Sequence, residues 1–220
     1  MDGQQRDLDL FATIESELYT AVIGDILDRL GHAHQFLPPS IRPLRPDAFL
    51  VGRAMPVLEA DVFDNSQPFG KMFEALDSLR PGEVYLVTGG TARYAVYGEL
   101  MATAATARGA RGAVLCGYHR DTRQLQEMDH PVFSYGAFAQ DQGIRGRVID
   151  YRVPVEVAGV RIEPGDLVVG DIDGVVVVPH EIEGLVVEEA REKARIETDV
   201  KRSIKQGMAT VEAFKKYGVM

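Results

Sequence analysis

The sequence predicts an α/β fold in which one parallel strand–helix–strand unit is joined to further β structure. Short apolar strands alternate with helices between residues 84 and 121. Residues 132–178 are rich in short apolar runs that glycine and proline separate. A chain of 220 residues suits one domain. We therefore expect a single domain over 1–220, with an N-terminal helix and proline-rich connection (1–46), an α/β core (47–180) and a helical tail (181–220).

Local patterns predict the elements in chain order. Thr20 is the expected N-cap of a helix over 21–30, which Gly31 ends. Four prolines between residues 32 and 46 predict an irregular connection. Further helices are expected over 71–79, 98–108 and 181–216, the last with eight acidic and eight basic residues. Strands are expected over 49–58, 84–87, 113–116, 132–135, 147–151, 153–157, 167–169 and 175–178.

Charge and composition exclude several classes of partner. The net charge is −9 and no basic run exceeds two residues, which disfavours nucleic acid. No apolar run approaches the roughly 20 residues of a membrane helix, so we expect no membrane partner. The single cysteine, Cys116, cannot form an intrachain disulfide, and the expected location is the reducing cytoplasm. A small anionic substrate fits, because one or two arginines suffice to bind a carboxylate.

The strand–helix–strand unit carries the candidate chemistry. Its helix begins near Glu99 and runs for about 13 Å, and the next strand returns over about 16 Å to Arg120 and Asp121. The two ends should therefore meet at one edge of the sheet, where open α/β sheets bind ligands. The free N–H groups of Leu100 and Met101 would point into that cleft, ready for an anion.

The residue types in this cleft suit metal-assisted chemistry on a keto acid. Arg120 can bind a carboxylate or an enolate oxygen through its planar fork. Asp121 can ligate a hard divalent cation such as Mg²⁺, which keeps several waters. Glu99 can hold a metal-bound water or act as a base. Simpler interpretations are a surface loop for Arg120 and Asp121, and for Glu99 a first-turn acid that stabilises the helix.

The spacing resembles that of a known family. Glu99, twenty intervening residues and then Arg120-Asp121 match the D/E-x20-R-D pattern of class II pyruvate aldolases. Those enzymes act on 4-hydroxy-4-methyl-2-oxoglutarate and 4-carboxy-4-hydroxy-2-oxoadipate. They belong with the regulator of ribonuclease E activity (RraA-like) proteins. Segments 98–104, 108–112 and 170–179 fit too, and the resemblance spans about residues 19–217.

The resemblance implies a β/β/α swivelling-type domain in a homotrimer or homohexamer. It implies retro-aldol cleavage of a 4-hydroxy-2-oxo-diacid to pyruvate, with Mg²⁺ or Mn²⁺ as cofactor and possible oxaloacetate decarboxylation. Asp121 would be the metal ligand, and Arg120 would bind pyruvate and stabilise its enolate. Leu100 and Met101 would offer backbone amides to the substrate carboxylate, with Gly98 beside them in the substrate site. Glu99 would hold a metal-bound water and act in catalysis.

The resemblance places one more residue at the metal, from a neighbouring subunit. Glu197, in the C-terminal helix, would complete the water shell of the ion. Nearby glutamates such as Glu192 are alternatives for this role. The metal site predicted here therefore depends on an assembled oligomer.

One other function and one side-chain orientation stay open. A non-catalytic protein-binding regulator of the ribonuclease E inhibitor type would share the fold, but such regulators lack the acidic residue that Glu99 matches. Schiff-base aldolase chemistry is disfavoured, because five of the six lysines lie in the charged tail. His119 either contacts substrate or points away from Arg120. Asp171 and Asp173 are expected to serve a turn.

Overall fold

The computed structural model describes residues 3–63 and 66–219. Its helices are α1 (Gly3–Glu17), α2 (Thr20–Arg29), α3 (Met72–Asp77), α4 (Glu99–Ala107), α5 (Thr122–Glu127), α6 (Glu183–Lys205) and α7 (Thr210–Tyr217). Its strands are β1 (Arg42–Pro43), β2 (Leu50–Asp61), β3 (Phe69–Gly70), β4 (Glu83–Thr88), β5 (Ala95–Tyr97), β6 (Gly112–Leu115), β7 (Tyr118–His119), β8 (Val132–Ser134), β9 (Gly146–Tyr151), β10 (Val155–Val157), β11 (Val160–Ile162), β12 (Leu167–Asp171) and β13 (Gly174–Val178).

The main sheet is mixed and has the strand order β1-β8-β6-β4-β2-β12-β13, with β9 and β3 branching from β2. The pairs β2–β4, β4–β6 and β6–β8 are parallel, whereas β12 pairs antiparallel with β2 and β13. The predicted α/β class, with a parallel strand–helix–strand unit and a helical C-terminal part, is confirmed. The sequence predicted one parallel strand–helix–strand unit, whereas the main sheet contains three neighbouring parallel strand pairs.

Helices and a hairpin cover both faces of the central strands, so β4 is buried from Glu83 to Val87. Successive side chains of β4 point alternately to the two faces of the sheet. Tyr85 and Val87 pack in the core beneath α3 and α4. Val84 and Leu86 pack on the opposite face, against the β10–β11 hairpin. The face beneath α3 and α4 carries the candidate site.

The N-terminal segment differs from the prediction in two ways. Helix α1 was not anticipated, and it buries Phe11 and Ile14 against the sheet. Thr20 is not an N-cap, because its N–H and hydroxyl both donate to the buried Asp171 carboxylate at 2.8 Å. Asp171 also accepts from the N–H of Asp173, as a turn residue would. A carboxylate 151 residues away thus replaces the local cap that the sequence pattern favoured.

The tail is helical, as predicted, but it is not one helix. A short 3-10 turn at His180–Ile182 precedes α6, and a break separates α6 from α7. Gly207 has a φ of +97° at this break, a backbone conformation that glycine adopts freely. Helix α6 packs along α2. Val51 of β2 packs in one core cluster with Val186 and Val187 of α6, and alternation along β2 puts Val51 on the same sheet face as Met55 of the core beneath α3 and α4. The tail therefore covers a different end of the sheet face that carries the candidate site.

A buried carboxyl group on β2 predicts a pH-dependent stability. Glu59 is 2% exposed, its Oε1 has no hydrogen-bond partner among the described residues, and burial raises its pKa to about 8. Tyr94 hydrogen-bonds to Glu59 and donates to Asp61 at 3.1 Å. Hydrogen bonding, chiefly from the Thr91 side chain, lowers the pKa of Asp61 to about 2. Glu59 therefore keeps its proton in the folded protein at neutral pH.

Replacing Glu59 with glutamine should remove this pH dependence. The folded chain holds a proton that the unfolded chain loses above about pH 4.5, so wild-type stability falls as the pH rises from there through about 8. Between pH 6 and pH 9, the free energy of unfolding measured by urea titration should increase for Glu59→Gln relative to wild type. Glu127→Gln, at an exposed position, is the control. Equal pH profiles for Glu59→Gln and wild type would contradict the assignment.

Candidate active site

The structure brings the backbone of Glu99 together with Arg120 and Asp121, whereas the Glu99 side chain is exposed. The backbone N–H of Glu99 donates to Asp121 Oδ2 at 3.1 Å, and Arg120 Nε lies 3.8 Å from the same oxygen. The predicted meeting of the helix start with the residues after the strand is therefore seen. The two segments do not follow the main-sheet strand directly, as the sequence predicted. Instead, the short strand β5 leads into α4, the short strand β7 leads into Arg120 and Asp121, and these two strands pair in parallel beside the main sheet. The N–H of Arg120 donates to the Tyr97 carbonyl at 2.9 Å and joins them.

Asp121 has an unusual backbone conformation. Its φ of 57° and ψ of 39° lie in the left-handed region, which a non-glycine residue seldom adopts. It precedes α5, yet its side chain does not cap that helix. The carboxylate turns instead to the start of α4 and is 40% exposed. Such outliers are found preferentially at functional sites.

Gly98 leaves the space that the Asp121 carboxylate occupies. A Cβ at position 98 would lie 2.5 Å from Asp121 Oδ2 and 3.2 Å from Arg120 Cγ. Any larger residue would therefore displace one of the two side chains. The contact explains why glycine, rather than a capping side chain, precedes Glu99.

Helix α4 presents free backbone donors next to this carboxylate. The Ala102 N–H donates to the Gly98 carbonyl at 3.0 Å, and the Glu99 N–H is used by Asp121. The N–H groups of Leu100 and Met101 lie in the first turn, where a helix offers no acceptor. The site thus combines amide donors, a guanidinium and a carboxylate, a set that can bind an anion beside a cation.

Asp141 is a site residue that the sequence analysis missed. Its Oδ1 lies 2.6 Å from Arg120 Nη1, and its Oδ2 accepts from the Gly143 N–H at 3.0 Å. An isolated bridge to Ala95 positions it. The only signal in the sequence is an aspartate two residues before a glycine, which indicates a turn and nothing about Arg120.

A cavity of about 350 Å³ opens from Arg120 and Asp121 toward the core between α3 and α4. Asp141 and Gln142 contribute its other polar groups. Gln142 is buried, and its side-chain nitrogen has no hydrogen-bond partner within the part of the chain that the structure describes. The apolar wall is formed mainly by Met72, Phe73 and Leu76 of α3 and by Leu100, Met101 and Ala104 of α4. A concave apolar pocket with a few convergent polar groups is the usual form of a small-molecule site.

His119 points away from the cavity. Its Nδ1 lies 2.7 Å from Ser134 Oγ, and its Nε2 lies 3.1 Å from Thr122 Oγ1. It is buried, and burial lowers its pKa, so the neutral form dominates at neutral pH.

Burial also raises the pKa of the Cys116 thiol to about 12, which makes it a poor nucleophile.

Glu197 lies apart from Asp121 within one chain. Its carboxylate accepts from the Tyr19 hydroxyl and lies 3.9 Å from Lys193 Nζ on the same helix. It is not among the described residues that line the cavity. Its predicted role at the metal therefore needs a second copy of the chain and stays a prediction.

The residues present fit a hydrated divalent ion. Within residues 3–63 and 66–219 no cluster of three or more His, Cys, Asp or Glu side chains could enclose a metal. Mg²⁺ needs no such cluster, since it commonly keeps its waters and takes one or two carboxylates. Asp121 supplies one accessible carboxylate, and the missing side chain at Gly98 leaves room beside it.

The described helices include none long and apolar enough to cross a membrane. Fold and site together define an α/β protein with a ligand-binding cleft at the start of a helix, furnished with an arginine–aspartate pair. The chain belongs to the RraA-like family, because the Aldolase/RraA family model matches residues 20–177. This confirms the resemblance seen in the sequence.

The names of similar proteins refer both to an aldolase and to a ribonuclease inhibitor family. A Halalkalibacterium halodurans protein named "Putative 4-hydroxy-4-methyl-2-oxoglutarate aldolase" is 32% identical over 96% of this chain and 95% of its own length. An uncharacterized protein from Pseudomonas syringae pv. tomato has a similar structure, with a TM-score of 0.85, 30% identity, and coverage of 96% and 94% of the two chains. RraAS2 of Streptomyces coelicolor, described as an unusual member of the RNase ES inhibitor RraA family, has a TM-score of 0.81 at 25% identity, covering 89% of this chain and 98% of its own.

Proposed function

We propose that this protein catalyses divalent-metal-dependent retro-aldol cleavage of a 4-hydroxy-2-oxo-diacid and releases pyruvate. The observation that carries the proposal is the meeting of Arg120, Asp121 and the free amides of α4 at the mouth of one cavity. Several similar proteins are named for 4-hydroxy-4-methyl-2-oxoglutarate aldolase, and these names support the reaction class.

The chain's own residues bind the keto-acid end of the substrate. The amides of Leu100 and Met101 and the guanidinium of Arg120 hold the 1-carboxylate. Arg120 also stabilises the negative charge that develops on the C2 oxygen. Asp121, together with water, would hold Mg²⁺ or Mn²⁺, which would supply positive charge to polarise the C2 carbonyl.

The cleavage can be written with all electrons and protons accounted for and without a covalent enzyme intermediate. The C3–C4 bond breaks, and its electron pair forms the enolate of pyruvate. The C4 hydroxyl loses its proton to Glu99, directly or through a water, and C4 becomes a carbonyl. A proton then returns to C3 and gives pyruvate. Loss of CO₂ from oxaloacetate forms the same enolate, so the site should also decarboxylate oxaloacetate. Lys71 does not suit Schiff-base chemistry, since it is half exposed and paired with Asp150 at 3.0 Å.

The proposal includes a homotrimer or homohexamer in which Glu197 of a neighbouring subunit approaches the metal. Apolar side chains exposed around the cavity support this assembly. Leu100 is 81% exposed and Phe73 is 58% exposed at its mouth. Phe138, which is 41% exposed, lies in an adjoining hollow beside Arg120. Soluble proteins usually cover such patches with a partner.

Replacing Glu99 with glutamine tests the catalytic step. Pyruvate release from 4-hydroxy-4-methyl-2-oxoglutarate, followed with lactate dehydrogenase and NADH, should show a kcat about 10²-fold lower, because glutamine cannot accept the proton. The KM should change little. Glu74→Gln, an acid in the first turn of α3, is the matched control. An unchanged kcat for Glu99→Gln would remove Glu99 from the mechanism.

A protein-binding regulator of ribonuclease E is the second candidate. The structural similarity to an RNase ES inhibitor and the net charge of −9, which could mask a basic partner, favour it. Glu99 discriminates between the two, because a binding module has no use for an acid at this position. Ribonuclease E binding with no pyruvate release from any 4-hydroxy-2-oxo acid would favour the regulator.

A further inference from the structure

His119 lies directly before Arg120 and Asp121 in the chain and is buried behind the candidate site. It is 2% exposed, and it is not among the described residues that line the cavity or the adjoining hollow beside Arg120. Its imidazole therefore does not contact a ligand in either space. Any effect of this side chain on the site must pass through the residues to which it is hydrogen-bonded.

The imidazole joins the two sides of the turn that carries Arg120 and Asp121. Its Nε2 lies 3.1 Å from the Oγ1 of Thr122, the first residue of α5. This bond links the residue before the arginine–aspartate pair to the residue after it. The backbone N–H of Leu125 donates to the Asp121 carbonyl at 3.0 Å and closes the first turn of α5.

The other ring nitrogen attaches this turn to the main sheet. Nδ1 of His119 lies 2.7 Å from Oγ of Ser134, which is buried on β8 and also accepts from the Gly136 N–H at 3.1 Å. A neutral imidazole has one donor and one acceptor, and a hydroxyl can serve as either, so one ring can make both bonds at once. The bonds to Thr122 and Ser134 together form the His119 clamp, which ties the turn to a strand of the main sheet.

The turn needs a restraint of this kind because of its backbone and its exposure. Asp121 has a φ of 57°, in the left-handed region that a residue with a side chain seldom adopts. Such conformations persist where the surrounding structure holds them. The side chains of Arg120 and Asp121 are each 40% exposed, so core packing does little to fix them. Bonds on both sides of the turn can fix their backbone instead.

We propose that His119 is a positioning residue, whose clamp holds the Arg120–Asp121 turn in its ligand-binding orientation. It touches no reacting atom. The inference rests on the proposed function for what the turn binds, whereas the clamp itself is a property of the chain alone. Removing a partner that orients a metal ligand typically costs about 10- to 100-fold in metal affinity.

Amide exchange in the metal-free chain tests the clamp. In Thr122→Val the Leu125 N–H should exchange at least about tenfold faster by NMR, because loss of the hydroxyl frees the turn that holds its acceptor. Thr122→Ser keeps the hydroxyl and should restore the wild-type rate. Thr13→Val removes a hydroxyl that donates to the Asp9 carbonyl at 2.9 Å on α1 and is the matched control. Unchanged exchange of Leu125 in Thr122→Val would overturn the inference.

Ion binding tests the consequence for the site. Titration with Mn²⁺, followed by electron paramagnetic resonance, should give a dissociation constant about tenfold higher for Thr122→Val than for wild type or Thr122→Ser. An unchanged constant would overturn the inference.

A double-mutant cycle tests whether the two residues act together. His119→Phe should weaken Mn²⁺ binding by a similar factor, and the double variant with Thr122→Val should bind about as well as the weaker single variant, because both changes remove the same clamp. Factors that multiply would show separate effects and overturn the inference. If His119→Phe does not fold, Ser134→Ala takes its place in the cycle, since it removes the sheet end of the clamp.

The two readouts separate this inference from the proposed function. Faster Leu125 exchange in Thr122→Val, together with no Mn²⁺ binding by the wild-type chain, would support the clamp and overturn the metal-dependent aldolase. Equal Mn²⁺ binding by the two chains with unchanged exchange would support the ion site and overturn the clamp.

Discussion

Arg120→Ala should lower kcat/KM for pyruvate release by about 10³-fold, the loss expected when a donor that stabilises a developing oxyanion is removed. The guanidinium serves both the 1-carboxylate and the enolate, so kcat should fall and KM should rise. Stability should change little, because the Arg120 side chain is 40% exposed and pairs only with exposed carboxylates. The lactate dehydrogenase-coupled assay measures the kinetics, and thermal unfolding checks the fold.

Arg123→Ala is the matched control for this substitution. Arg123 lies three residues away on α5, is 88% exposed and pairs weakly with Glu127. It should keep wild-type kinetics. An Arg120→Ala enzyme within tenfold of wild type would show that the guanidinium is not part of the chemistry.

Asp121→Asn should lower pyruvate release by at least about 10²-fold and abolish its response to added Mg²⁺. Asparagine tolerates the left-handed backbone of position 121 and keeps the side-chain size, so the substitution removes the charge alone. The amide oxygen can still accept from the Glu99 N–H. The measurement is the rate as a function of Mg²⁺ concentration.

Asp129→Asn provides the corresponding control, since Asp129 is an exposed residue in the loop after α5. It should retain both the rate and the metal dependence. An Asp121→Asn enzyme with a wild-type Mg²⁺ titration would place the ion at other ligands.

The core of the site follows from local rules. Matching the rise of a nine-residue helix to that of the following strand brings Glu99, Leu100 and Met101 beside Arg120 and Asp121, and the structure places them so. Lengths and end positions suffice here because both segments are regular and adjacent in the chain.

Other parts of the site depend on contacts that no periodic pattern carries. An isolated bridge to Ala95 brings Asp141 to Arg120, and the neighbouring Gln142 enters the cavity wall with it. The cap expected from Thr20 was wrong because Asp171, from the opposite end of the chain, takes both its donors. Helix α1 was missed because its sequence is mostly polar, and its buried residues Phe11 and Ile14 pack against elements that are distant in the chain.

Metal-dependent pyruvate release is the most direct test of the central claim. The purified chain should release pyruvate from a 4-hydroxy-2-oxo acid in the presence of Mg²⁺, lose this activity in excess EDTA, and regain it when Mg²⁺ or Mn²⁺ is added beyond the chelator. Full activity in excess EDTA would contradict the account, because Arg120 and the amides of α4 would then suffice without an ion at Asp121.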